Sequence, residues 1–216
     1  MLKLSNYFRS TAAYRVRIAL QLKGLPHELL PVHLMKDGGE HKAAAYLEKN
    51  PSGLVPILET EDGIIAQSLA ILEYLEEVYP DTSLLPGSAI DRAYIRSISQ
   101  SIACDIHPLN NLRVLQYLTG EMGLDDAAKN TWYQNWIAKG FTAIETNLAR
   151  SPDTGLFCFG DTPSMADCCL VPQVYNAERF NCPMDAYPTI ACITEHCLSL
   201  PTFIAATPNK QPDYQE

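Results

Sequence analysis

Apolar and polar positions alternate at the start of the chain. Leu2, Leu4 and Asn6 fall on one face and Lys3, Ser5 and Tyr7 on the other, which is the period of a short β-strand. A polar loop follows. From Ala12 to Lys23 the spacing changes to that of a helix, with Val16, Ile18, Ala19, Leu20 and Leu22 recurring and Gly24 closing the segment. Glu28 to Val32 reads as a second strand, so the opening unit is strand–helix–strand, a pattern that favours a parallel pair. Two short runs, Val55 to Thr60 and Gly63 to Ala66, predict a β-hairpin. Leu69, Ile71, Leu72 and Leu75 then mark a helix over 69–78, with Ser68 as its predicted N-cap.

This order of elements is the plan of a thioredoxin-like α/β domain, taken as residues 1–83. The stretch 79–89 holds two prolines and a glycine and reads as a linker. Beyond it the periodicity is helical throughout, over 91–118, 125–150, 164–178 and 189–198, which predicts an all-α domain over 90–216. Ser164-Met165-Ala166-Asp167 sets a hydroxyl three residues before a carboxylate at the start of one of these helices. That is a capping box with Asp in place of Glu or Gln. Only the polar tail from Pro208 to Glu216 has the composition of a disordered end.

Composition narrows the function classes. A 47% hydrophobic content with 19% charged residues suits a chain of 216 residues that buries a real core. The net charge of -9 argues against nucleic acid as a partner, while leaving room for a local positive pocket that takes a small anion. Seven cysteines occur without Cys-x-x-Cys or zinc spacing, so reduced thiols in a cytoplasmic protein, and no metal site, are expected. The N-terminus lacks the form of a signal peptide, and no apolar run is long enough to span a membrane.

Three places carry candidate chemistry. Arg9, Ser10 and Thr11 stand where a loop meets a helix start, and a helix start presents unpaired N–H groups and a positive dipole end to an anion, a thiolate included. Lowering a thiol pKa by about two units takes roughly 2.7 kcal/mol, within reach of a helix end and one hydroxyl. Read locally, the two hydroxyls serve equally as helix caps. With no cysteine nearby, any thiolate has to arrive on a bound cofactor. Val55-Pro56 enters a strand and is open to a cis or a trans bond. Gln67-Ser68 at the next helix start could hold a carboxylate or simply cap the helix.

Taken together, these tracts resemble one family. Arg9 to Leu20, Lys36-Asp37-Gly38-Gly39, Asn50 to Pro56, Gln67 to Leu75, Asp105 to Asn111, Ala166 to Gln173 and Asn176 to Phe180 are similar to zeta-class glutathione transferases, and among them to bacterial maleylacetoacetate isomerases. The resemblance covers nearly the whole chain. It implies that Ser10 bonds the glutathione thiolate and that Thr11 and Ala12 complete the cradle. Val55 ahead of a cis Pro56 would pair with the cysteinyl part, Gln67 and Ser68 with the γ-glutamyl end, and His41 with the glycyl end. His107 and Asn111 would border the site. Many animal members carry cysteine where this chain has Ala12, so no cysteine is available there for the reaction.

The implied activity is the glutathione-dependent conversion of maleylacetoacetate to fumarylacetoacetate in tyrosine and phenylalanine catabolism. In it a thiolate adds to the conjugated cis double bond, the single bond rotates, and the thiolate leaves. The dicarboxylate substrate calls for arginine, and Arg9 and Arg179 are the candidates, each otherwise a surface or salt-bridge residue. Arg15 and Arg17 lie inside the helix and read as structural. Maleylpyruvate isomerase, a general zeta-class transferase, and a non-catalytic module that kept the fold are the rival readings. A homodimer is implied by the family alone.

Overall fold

Lys3 is exposed while Leu2 and Leu4 are buried, so the initial alternation is that of a strand, β1 (Leu2–Asn6). It lies inside the sheet, and its last residues, Ser5 and Asn6, are buried as well. The computed structural model describes residues 1–215, which divide into two compact units. The first holds residues 1–84 together with 198–215, and the second Leu85–Cys197.

In the first unit β1 pairs in parallel with β2 (His27–Pro31) and antiparallel with β3 (Ile57–Glu59). That strand pairs antiparallel with β4 (Ile64–Ala66), giving the order β2-β1-β3-β4. The helix between β1 and β2 is α1 (Thr11–Leu22). It ends where Gly24 takes φ 62°, letting the Leu25 N–H reach the Leu20 carbonyl at 3.0 Å and the Gly24 N–H reach Gln21 at 3.1 Å. This left-handed turn uses the conformational freedom of glycine to satisfy the last helical carbonyls. A short α2 (Ala44–Lys49) precedes the hairpin, and α3 (Ser68–Val78) follows it and packs on α1. Lys23, at the end of α1, donates to the Glu76 carboxylate and to the carbonyls of Tyr79 and Thr82, so the stretch read as a linker is pinned where it leaves α3.

The second unit is helical: α4 (Ala89–Gln100), α5 (Leu112–Gly120), α6 (Asp126–Arg150), α7 (Met165–Arg179) and α8 (Pro188–Leu198). The helix expected over 91–118 is divided. A π-helical turn, Ser101–Ile106, and a 3-10 turn, His107–Asn110, separate α4 from α5. Pro108 supplies the physical reason, since it has no N–H to continue the ladder and its ring crowds the preceding turn. Gly140 of α6 leaves room for Ile106 beside the break, because a Cβ there would stand 2.2 Å from Ile106 Cδ1. The capping box at α7 forms as expected. Asp167 accepts from Ser164 N–H and Oγ–H at 2.8 and 2.7 Å, and its other oxygen takes the Cys158 N–H at 2.8 Å, all of it buried. A second box, Ser88 with Asp91, starts α4.

Two expectations are corrected. The tail expected to be disordered is ordered over 208–215, with a 3-10 turn at Pro208–Lys210 and a buried Gln211 that donates to the Ala205 and Thr207 carbonyls. Nor does the stretch after 198, which the sequence assigned to the helical domain, belong with that unit. Its helix α9 (Pro201–Ala206) packs on α1 of the first. No helix among the described residues is long and apolar enough to cross a membrane.

Candidate active site

Strand directions decide which ends of the first unit meet. β3 runs opposite to β1 and β4 opposite to β3, so β4 runs with β1. Ser5, Ile57 and Ala66 are in register across the three strands. The loop after β1, the approach to β3 and the exit from β4 therefore leave the sheet at one edge. That edge carries Arg9 to Ala12, Val55-Pro56 and Gln67-Ser68, three of the tracts singled out in the sequence.

Ser10 is the N-cap of α1. Its backbone is extended (φ -72°, ψ 112°), its Oγ accepts the Ala13 N–H at 3.2 Å and its carbonyl accepts that of Tyr14 at 2.9 Å. Capping uses the hydroxyl as an acceptor, which leaves its own proton to be donated. Capping and donation to an anion are thus compatible in one side chain rather than alternatives. Thr11 is buried, at 2% exposure, whereas Ser10 stays partly exposed, which favours the Ser10 hydroxyl for an incoming ligand. Arg9 is exposed, with its guanidinium over the Phe8 ring, 4.9 Å from the centroid.

The Val55–Pro56 bond is cis. Just ahead of it the Leu54 carbonyl accepts two hydrogen bonds, from Tyr46 Oη and Asn50 Nδ2, each at 2.7 Å. Asn50 also accepts from Ser52 N–H and Oγ–H, and the turn closes with the Gly53 N–H on the Asn50 carbonyl at 2.9 Å. Burial, partly opposed by Asn50, pushes the Tyr46 phenol up to about 12, so it stays a donor. Sequence reasoning missed Tyr46 and its part in this support.

The helix start at α3 departs from expectation by one residue. Gln67 occupies the cap position with φ 73°, a left-handed conformation rare for a residue with a side chain, and it is exposed. Ser68 is the first helical residue and is buried. Its Oγ accepts from Arg15 Nη1 at 3.2 Å, so it does not cap the helix as predicted. Such a held outlier is the kind of feature that gathers at ligand sites.

His41 lies in the 3-10 turn Glu40–Lys42. Its Nδ1 is buried with no hydrogen-bond partner among the described residues, a polar atom left unsatisfied. Burial, and next the Lys42 charge, hold its pKa below the ordinary value, so the ring is neutral at pH 7. In the second unit, His107 Nε2 and Asn111 Nδ2 are 3.4 Å apart, and Asn111 caps α5 by accepting the Arg113 N–H at 3.2 Å. Arg179 is the last residue of α7 and is exposed, its guanidinium 4.9 Å from the Phe180 centroid.

Behind the site, Arg15 and Arg17 are both buried, as their place inside an apolar helix suggested. Arg17 donates Nε to the Ala206 carbonyl at 2.9 Å, Nη1 to Asn6 Oδ1 at 2.6 Å and Nη2 to the Phe8 carbonyl at 3.3 Å. It joins the end of β1, the loop that carries Arg9 and Ser10, and α9. A cation flanked by apolar helix positions was the available signal for this role.

Residues 9–78 match the model of the glutathione S-transferase N-terminal domain, and residues 127–191 that of the C-terminal domain. A probable maleylacetoacetate isomerase of Vibrio cholerae is 48% identical over 210 residues, 97% of each chain. A holo structure of a maleylpyruvate isomerase, described as a bacterial zeta-class glutathione S-transferase, superposes with a TM-score of 0.96 at 47% identity. The match covers 99% of this chain and 100% of that one. A maleylacetoacetate isomerase from Methylobacterium extorquens AM1, with bound malonate and glutathione, gives a TM-score of 0.94 at 40% identity, again over 99% and 100% of the two chains.

Proposed function

This chain belongs to the glutathione S-transferase family, and from that premise we propose that it is a glutathione-dependent cis–trans isomerase acting on maleylacetoacetate. The observation that carries the reading is the convergence at one end of the strands of the Ser10 hydroxyl, the Val55-Pro56 backbone and the left-handed Gln67. The residues present fit glutathione. His41 offers a buried, unpaired Nδ1 and Gln67 an exposed amide beside the start of α3.

In this reading Ser10 donates its hydroxyl proton to the sulfur, and the first turn of α1 adds its dipole, so the thiolate is favoured over the thiol. What glutathione supplies when bound is a sulfur able to add to, and leave from, a conjugated alkene carbon. Val55 offers its backbone to the cysteinyl part of the cofactor. Gln67 and Ser68 take the γ-glutamyl carboxylate at the start of α3, and His41 the glycyl end. Thr11 and Ala12 shape the cradle through their backbone. His107 and Asn111 are assigned to the border of the substrate space. Arg9 and Arg179 are assigned to the two carboxylates, where fixed cations orient the acid and offset charge gathering on its carbonyl oxygen. Ala12 leaves the thiol chemistry wholly to the cofactor.

Maleylpyruvate is the second reading, because a structure 47% identical bears that activity in its name. A cytoplasmic homodimer serving tyrosine and phenylalanine breakdown completes the proposal. The test is an absorbance assay of both acids with and without glutathione, beside gel filtration. Faster turnover of maleylacetoacetate that requires glutathione is expected. No turnover of either acid would remove the proposal, and preference for maleylpyruvate would replace the substrate.

A further inference from the structure

The segment after α8 bears on the thiol site through a single carboxylate. Asp213 Oδ2 accepts the Phe8 N–H at 2.8 Å, and Oδ1 accepts from Asn6 Nδ2 at 3.3 Å. The same two residues are gripped from the opposite side by Arg17, whose Nη2 meets the Phe8 carbonyl at 3.3 Å and whose Nη1 meets Asn6 Oδ1 at 2.6 Å. Both peptide groups of Phe8 are therefore fixed, one by an anion and one by a cation. The Phe8 ring is fixed as well, edge-on to Tyr214 at 5.5 Å and beneath the Arg9 guanidinium at 4.9 Å. Ser10 follows two residues later, with its N–H on the Tyr7 carbonyl at 2.9 Å.

We propose that Asp213 is a positioning residue for the glutathione thiol, setting through Phe8 the place of the Ser10 hydroxyl and the lie of Arg9. Only Arg9 separates the held Phe8 from Ser10, and a hydroxyl–thiolate bond weakens steeply as its geometry is lost. Arg17 is buried and needs a compensating anion on its network, and Asp213, joined to it through Asn6, supplies that charge. The segment is itself anchored, by Gln211 on the Ala205 and Thr207 carbonyls at 3.1 and 2.8 Å, so the carboxylate is presented from a fixed base.

This inference rests on the reading that the start of α1 binds glutathione, and its test separates the two. The intact chain, Asp213→Ala and Asp213→Asn are compared by calorimetric glutathione binding, by ultraviolet titration of the bound thiol, and by urea unfolding. Asp213→Asn keeps an acceptor for Phe8 but turns an N–H toward the Asn6 amide, whose oxygen is committed to Arg17. Asp213→Ala loses both bonds. Glutathione binding is expected to weaken about tenfold in Asp213→Ala, the scale of one lost bond to a charged acceptor, and about twofold in Asp213→Asn. The bound-thiol pKa should rise in the same order, a readout that a contribution to stability alone would leave in place. A folded Asp213→Ala with parental affinity and thiol pKa would overturn the positioning role and leave the site reading intact. Absence of glutathione binding to the parent would overturn both. Should Asp213→Ala not fold, Asp213→Asn decides: parental values there overturn the proposal.

Discussion

Arg15 Nη1 donates to Ser68 Oγ at 3.2 Å, so one buried hydrogen bond joins α1 to the first residue of α3. The two helix starts at the candidate site are held to each other from behind. Removing the hydroxyl leaves a buried guanidinium short of an acceptor, at a cost of about 1–3 kcal/mol. Ser68→Ala is expected to lower the urea midpoint accordingly and to weaken glutathione binding. Loss of stability with unchanged affinity would confine Ser68 to packing.

Ser10→Ala removes the cap and the proposed thiol partner together. The cap is worth about 1 kcal/mol of stability. The thiol effect is larger in consequence: kcat/KM for isomerisation should fall about 100-fold, equal to about 2.7 kcal/mol, as the bound thiol titrates nearer to free glutathione. Activity close to the parent's would remove Ser10 from the mechanism and shift attention to Thr11.

Arg179→Ala should raise KM for the acid about tenfold, the scale of one charge-assisted contact, and leave the glutathione dissociation constant at the parental value. Equal weakening of both ligands would show that the residue supports the fold rather than the substrate.

Glu76 gives a pH test. Burial pushes its carboxyl up, but the Leu84 N–H, the Ser83 hydroxyl and Lys23 together outweigh burial and hold it below the usual carboxylate range. The folded chain thus binds this proton less readily than the unfolded one. The stability it contributes is fully present above the ordinary carboxylate pKa and is lost as pH falls through the lower, folded value. Urea midpoints measured across the acid range should fall less steeply in Glu76→Gln than in the parent. Parallel curves would exclude the linkage.

Asp167→Ala strands three buried donors, Ser164 N–H, Ser164 Oγ–H and Cys158 N–H. Unfolding should become easier by about 3–5 kcal/mol. A loss under about 1 kcal/mol by urea titration would mean that the start of α7 finds other partners.

Periodicity made most of the fold legible. The 3.6-residue spacing of α1 and the two runs of the hairpin survive in the structure to within about a residue or two at each end. The division of 91–118 did not show, because apolar spacing continues through Pro108 while the backbone cannot, and because the pocket for Ile106 is opened by a glycine 34 residues away. At the site, local sequence could not choose between cap and anion partner for Ser10, since a hydroxyl serves as acceptor and donor at once. Gln67 was placed a residue off its true role, because nothing in a glutamine announces a positive φ. The C-terminal segment was misjudged for another reason. Its order comes from partners far away in sequence, and polarity along the segment carries no trace of them.

That separation has a consequence for how the chain is made. Arg17 and Ala206 are 189 residues apart, and Phe8 and Asp213 are 205 apart. During synthesis from the N-terminus, the four-stranded unit emerges whole except for its last helix and clasp, and the entire helical unit must be translated before they arrive. Until then Arg17 has neither the Ala206 carbonyl nor, through Asn6, the Asp213 carboxylate. A nascent chain halted after α8 therefore holds the residues of the proposed thiol site without the fastening behind them. Completion of the first domain waits on the second.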